Sequence, residues 1–164
     1  MKRYLTMHAR LNKSIGNPSE EEEEDRIIEG YASTRTIDRL GDRIWPEAFR
    51  DGLVNYLRNP ILLYNHDPYK PIGRVLELDI RPDGLYVKAR IAKGTPLADE
   101  VWTLIQQGVL NAFSICTTSD IIGEVSAEGI RNINRWDLAE ISIVTIPANQ
   151  EAIFSVAKIL DLNE

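Results

Sequence analysis

Cysteine and histidine are scarce in this chain of 164 residues: Cys116 is the single cysteine, and His8 and His66 are the two histidines. One cysteine excludes an intrachain disulfide and gives no support for an oxidising compartment. With so few His and Cys side chains, the usual ligand sets of a closed structural zinc site cannot be assembled, and nothing in the sequence asks for a metal or a cofactor. Long apolar runs are missing too, and the basic start Met1-Lys2-Arg3-Tyr4 lacks the apolar stretch of a signal peptide. The expectation is a soluble, intracellular-type protein with no membrane partner.

A basic surplus is also lacking. The chain has 19 basic and 25 acidic residues, a formal charge of −6. Six consecutive acids, Glu20 to Asp25, hold the whole excess, so the remainder is balanced. A sequence-independent nucleic-acid binder needs a net positive surface to displace counterions from phosphate, and no nucleic-acid partner is expected. No glycine-rich phosphate loop occurs. The apolar fraction of 43% is ordinary for a globular domain and excludes a disordered polymer. The length fits one domain, residues 1–164, with its own core.

Most of the pattern is β. Strands are expected over Arg3–Leu11, Arg26–Thr34, Ile61–Tyr64, Ile72–Ile80, Leu85–Ile91, Leu110–Thr117 and Leu138–Ile146, where Pro147 removes an amide donor. Arg81-Pro82-Asp83-Gly84 reads as a hairpin turn, and a further turn is expected at Glu128-Gly129. Residues 12–25 read as an exposed acidic loop, because packed like charges resist burial. Thr36 to Ile44 reads as a turn-rich connection. Helices are expected over Pro46–Leu57, where Gly52 weakens the pattern, and over Ala152–Leu162. The clearest helix starts at Thr95-Pro96, spaces Leu97, Val101, Leu104 and Ile105 helically, and stops at Gly108. The fold class is α+β and β-rich: a curled sheet or β-barrel flanked by two or three helices.

Candidate chemistry follows from the same scarcity. A serine nucleophile needs a neighbouring base, usually histidine, oriented by a third polar group. His66 follows the apolar run Ile61–Tyr64 in Asn65-His66-Asp67-Pro68, where a buried strand meets a turn. Within Leu110–Thr117, alternation sets Ala112, Ser114 and Cys116 on one face and Phe113 and Ile115 on the other. Glu140 and Ser142 share a face of the apolar Leu138–Ile146 strand, and a carboxylate there requires a partner. From the residues alone, alternatives stay open. Taken alone, Ser114 reads first as a buried serine bonded to backbone and His66 as a surface-loop histidine, and Glu140 reads also as the ion-pair partner of Arg131 or Arg135. Cys116 is a second candidate nucleophile. Asp38 with Asp42, and Asp99 with Glu100, read as turn and helix-surface residues rather than metal or hydrolase carboxylates.

Several ordered blocks carry a resemblance. They are Glu29-Gly30-Tyr31-Ala32-Ser33, Asp42-Arg43-Ile44-Trp45-Pro46-Glu47-Ala48-Phe49, Asn65-His66-Asp67, Pro71-Ile72-Gly73-Arg74-Val75 and Gly84-Leu85-Tyr86-Val87. Gly108 to Ile115 and Leu138 to Asn149 complete the set. Over residues 28–149 the chain resembles the prohead (capsid-maturation) serine proteases of tailed bacteriophages. That resemblance implies a herpesvirus-protease-like barrel with flanking helices, and peptide-bond hydrolysis with Ser114 as nucleophile, His66 as general base and Glu140 orienting His66. Phe113 and Cys116 depart from the leucine and glycine common in the family's serine motif. The implied substrates are scaffold, or the scaffold-like extension of the major capsid protein, with self-cleavage. The implied location is the host cytoplasm, inside the assembling prohead. Arg131 and Arg135, or backbone amides, are candidate oxyanion donors. A homo-oligomer is compatible with the sequence. The competing function is a protease-like assembly factor that binds capsid or scaffold protein without cutting it. A small-molecule esterase fits less well, because the nucleophile-elbow glycine pattern is absent.

Overall fold

The computed structural model describes residues 6–8 and 25–157. Eleven strands lie among them: β1 (Thr6–His8), β2 (Ile27–Thr34), β3 (Asp42–Ile44), β4 (Ile61–Tyr64), β5 (Asp67–Arg81), β6 (Gly84–Ile91), β7 (Ala112–Thr117), β8 (Gly123–Val125), β9 (Arg131–Ile133), β10 (Leu138–Val144) and β11 (Phe154–Val156). The single α-helix among the described residues, α1, spans Pro96–Gln106.

The main sheet runs β11-β2-β6-β5-β4-β10-β7, with β1 added against β5. Its ends meet. Ala112 bridges to Ile153, the Phe113 amide donates to the Ala152 carbonyl, and the Phe154 amide donates to the Asn111 carbonyl. A sheet curled on itself in this way loses much of its exposed edge. The interior is filled from β2, β4, β5, β6, β7 and β10, with Ile28, Leu62, Ile72, Leu78, Val87, Phe113 and Ile141 essentially inaccessible to solvent. Alternation explains these choices: β6 reads Leu85, Val87, Ala89, Ile91 inward and Tyr86, Lys88, Arg90 outward. Helix α1 lays Ala98, Val101 and Ile105 on the core and ends at Gly108, whose φ of 72° is the left-handed conformation glycine adopts without penalty.

The expected helix over Pro46–Leu57 is replaced by two short 3-10 turns, Pro46–Phe49 and Tyr56–Arg58. Tertiary bonds take the carbonyls a helix would use: Ala48 accepts from the Trp136 amide and Gly52 from the Leu138 amide. The Gly52 backbone lies so close to Trp136 that an added Cβ would sit 1.8 Å from its carbonyl oxygen. One α-helix, rather than two or three, therefore flanks the sheet among the described residues.

The C-terminal helix expected from Ala152 is also corrected over its described part. Ala152 and Phe154 are buried and Ile153 is exposed, a period of two, and Phe154–Val156 pairs antiparallel with Ile28–Gly30. Residues 158–164, like the acidic residues 20–24, lie outside the described residues. A second sheet, β3-β9-β8, takes β3 from the end of the segment read as a turn-rich connection and β8 and β9 from either side of the expected Glu128-Gly129 turn. Its hairpin turns at Gly129, with φ 82°, as the Glu128-Gly129 pair suggested.

Candidate active site

Three neighbouring strands build the site. β10 runs parallel to β4 and antiparallel to β7, so the end of β4 and the middle of β7 lie along its two edges. In that ladder Ser142 stands directly opposite Ser114, and Glu140 opposite Cys116. The shared face anticipated for Ala112, Ser114 and Cys116 thus meets the face that carries Glu140 and Ser142.

His66 enters from the β4–β5 hairpin. Tyr64 pairs with Asp67, leaving Asn65 and His66 as the two turn residues, with φ of 50° and 59°. Two successive positive φ values are the pattern of a type I′ turn, for which Asn-Gly is favoured. Asparagine tolerates the first position. Histidine at the second carries a Cβ into a conformation that disfavours side chains. The turn is pinned against β10: the Asn65 amide donates to the Ile143 carbonyl, and Asn65 Oδ1 accepts from the Thr145 amide at 3.1 Å. The half-buried imidazole is thereby aimed back over the ladder.

The result is a continuous chain of hydrogen bonds. His66 Nε2 lies 2.9 Å from Ser114 Oγ, and His66 Nδ1 lies 2.5 Å from Glu140 Oε1. Because a carboxylate only accepts, Nδ1 carries the ring proton and Nε2 is left to accept from the serine hydroxyl. The hydrogen bond that His66 Nδ1 donates to Glu140 holds the His66 pKa above its ordinary value, with partial burial opposing and the carboxylate charge adding to it. Ser114 and Ser142 are buried, and the Glu140 side chain is 13% exposed.

Other candidates are drawn elsewhere. Arg131 forms a bidentate pair with buried Asp42, Nε to Oδ1 at 2.8 Å and Nη2 to Oδ2 at 2.6 Å, so it does not serve Glu140. Arg135 is largely exposed and approaches Asp137 at 3.8 Å. Asp38 caps its own turn by accepting the Leu40 and Asp42 amides, and Asp99 binds Arg26. The exposed Cys116 thiol faces the Thr117 carbonyl, not the imidazole. His8 lies on β1, in register with Glu77 of β5.

Beside Ser114 runs a groove with about 510 Å³ of empty space, solvent included, lined by Ala32, Thr34, Ile44, Ile115, Trp136 and Asn149 among others. It is lined from the end of β2 and from β7, with β3 and the segments that carry Trp136 and Asn149 on its other sides. Its polar end is fixed by Asn149, whose Nδ2 donates to the Thr34 carbonyl at 3.0 Å. No arginine lines this groove among the described residues.

Residues 13–162 match the family model described as caudovirus prohead serine protease. The chain belongs to that family. The prohead protease of Escherichia phage T5 is 36% identical over 133 residues, 80% of this chain and 62% of that protein. The prohead protease of Enterobacteria phage HK97 is 31% identical over 140 residues, 82% of this chain and 61% of that protein. A capsid polyprotein of Pseudomonas phage PAJU2 is 31% identical over 148 residues, 85% of this chain but 21% of the polyprotein. The chain thus spans under two thirds of these relatives.

Among solved structures, the bacteriophage T4 capsid assembly protease superposes with a TM-score of 0.60 at 17% identity, covering 88% of this chain and 96% of that one. The KSHV protease, solved with a hexapeptide phosphonate inhibitor, gives 0.51 at 13% identity, covering 83% and 66%. These two establish the fold, and the expected herpesvirus-protease-like architecture is the one observed.

Sequence reasoning named Ser114, His66 and Glu140, which the fold brings into one chain of contacts. It missed the backbone role of Asn65 and the bridging position of Ser142. The Asn65-His66 pair at the end of an apolar run was a turn signal, but only the register with β10 reveals what the turn holds.

Proposed function

We propose that this chain is a serine endopeptidase of phage prohead maturation, with Ser114 as nucleophile, His66 as general base and Glu140 as its orienting carboxylate. The observation that carries the proposal is the linear order Glu140–His66–Ser114 at hydrogen-bond distances, with each ring nitrogen committed to one partner. His66 Nε2 takes the hydroxyl proton as Ser114 Oγ attacks the scissile carbonyl carbon. Glu140 stabilises the imidazolium that forms. The imidazolium then returns its proton to the leaving amine, the peptide C–N bond breaks, and an acyl-enzyme remains on Ser114. Water, deprotonated by His66, hydrolyses that ester. Backbone amides are the better candidates for oxyanion donors, since Arg131 is engaged by Asp42.

The groove between β2 and β7 suits an extended peptide, because beyond the bridge these strand edges have no partner strand among the described residues. Substrates are scaffold, or the scaffold-like extension of the major capsid protein, with self-processing inside the assembling shell. Family membership and the names of the phage relatives support that assignment. A purely binding assembly factor would have no need to hold a left-handed histidine against a serine and a carboxylate.

The test is incubation with a capsid precursor, followed by intact-mass analysis of both proteins. Defined cleavage by the native chain is expected. Ser114→Ala should lose it while keeping the native melting temperature. Undiminished cleavage by that variant would remove Ser114 from the mechanism.

A further inference from the structure

The Ser142 hydroxyl is fully buried in β10, yet it is neither nucleophile nor base in the proposed reaction. It makes two bonds of opposite sense. Its oxygen accepts the backbone N–H of His66 at 3.0 Å, and its proton goes to Glu140 Oε2 at 2.6 Å. The carboxylate is therefore held by one oxygen on Ser142 and presents the other to His66 Nδ1. The same hydroxyl pins the strained turn that carries the imidazole.

We propose that Ser142 is a positioning residue: a single buried hydroxyl that fixes the acid and the base of the site relative to each other. The inference rests on the assignment of Ser114, His66 and Glu140 above. A carboxylate free to rotate can offer either oxygen, or neither, to the ring. A carboxylate with one oxygen bonded has one productive orientation left. A turn in which His66 is left-handed also relaxes unless its amide is bonded. Ser142 can serve both needs because it lies two residues from Glu140 on the same face, one register step from the strand end that leads into His66.

Ser142→Ala deletes the bridge and leaves the His66 amide without its acceptor. With a capsid-precursor substrate, kcat should fall by up to about a hundredfold while KM stays within about twofold, as expected when catalytic groups are misplaced but substrate binding is kept. The acid limb of the kcat/KM profile should move down towards ordinary imidazole values, because the Glu140 bond that raises it has loosened. Ser142→Thr, which keeps a hydroxyl, should restore most of the rate. Rates are compared per folded molecule, from near-ultraviolet circular dichroism. If the alanine variant does not fold, Ser142→Cys carries the same test, with a weaker donor of similar shape. A native rate and native pH profile in a folded variant lacking the hydroxyl would overturn the proposal. Equal damage in the alanine and threonine variants would do so as well. Ser114→Ala, run in parallel, separates the two ideas: if it still cleaves, the assignment of the reacting groups fails. If it is inactive while Ser142→Ala is native, only the role of Ser142 fails.

Discussion

Ser114 and Ser142 face each other directly across the β7–β10 ladder, and both reach His66, one through the imidazole and one through the backbone amide. The proposed nucleophile and the group that supports its proposed base are thus set by strand register. A slip of one residue in either strand would turn one of the two hydroxyls to the opposite face of the sheet. The site is therefore as rigid as the barrel wall that carries it.

That rigidity makes the pH dependence specific. In the proposed mechanism His66 accepts a proton only when neutral, and its pKa is raised by the bond to Glu140. Activity should rise with pH through a midpoint above the ordinary imidazole value of about 6.5. Glu140→Gln should lower that midpoint and reduce kcat. The same shift is linked to stability with the opposite sign. A raised folded-state pKa means the protonated His66–Glu140 pair contributes below the unfolded value, and the contribution is lost as pH rises through the folded value. Melting temperatures of the native and Glu140→Gln chains should therefore converge as pH rises through the folded His66 value, while cleavage rates diverge. An identical acid limb in both would place another group in control.

The left-handed turn yields a second expectation. With φ of 59°, His66 occupies a conformation that costs a side-chain-bearing residue about 1–2 kcal/mol relative to glycine. His66→Gly should therefore unfold at higher denaturant than His66→Ala, by about 1 kcal/mol, reversing the usual order for a β-rich context. Both should be inactive. Equal stability of the two would mean the turn relaxes when the imidazole is removed.

Much of this site was legible in the sequence because so little could serve. Two histidines left one base on a scaffolded turn, and alternation in two apolar strands exposed Ser114 and Glu140 as polar residues needing partners. Pairing was not legible. Glu140 was as compatible with Arg131 as with His66 until the fold gave Arg131 to buried Asp42. The misread helix at Pro46–Leu57 has the same origin: Trp136 and Leu138, more than eighty residues away, claim the carbonyls that local periodicity assigned to a helix. Ala152–Val156 was misread because Phe154 answers to Phe113 across the seam, at 4.7 Å between ring centroids, and not to a neighbour on its own segment.

Asp42 and Arg131 offer a control outside the reacting groups. The pair ties β3 to β9, and Asp42 has almost no contact with solvent. Arg131→Ala leaves that carboxylate without its bidentate partner, which should cost about 1–2 kcal/mol, less than for a fully buried pair because the Arg131 side chain is 37% exposed and its removal admits water. The double variant Arg131→Ala with Asp42→Ala should recover part of that loss, since the orphaned charge is gone. Denaturant titrations of the three chains measure the coupling. Per folded molecule, kcat should change much less than in the Ser142 variants, because neither residue touches the hydrogen-bonded chain from Glu140 to Ser114, whereas KM should rise in the double variant because Asp42 lines the groove beside Ser114.

Gly30 tests whether closure of the sheet matters to the groove. A Cβ there would lie 2.2 Å from the Ile153 carbonyl oxygen and 2.6 Å from the Phe154 Cα, both backbone atoms that cannot rotate away. Gly30→Ala must therefore push β11 from β2, at a cost of about 1–3 kcal/mol for overpacking. The bridge between Ala112 and Ile153 sits in the same segment, so the displacement is transmitted to β7, two residues from Ser114. The groove is bounded by β2 and β7, so peptide binding should suffer before the chemistry does: KM should rise more than kcat falls. Steady-state kinetics on a peptide substrate give this ratio. A drop in kcat alone would mean that the seam supports the reacting groups and not the groove.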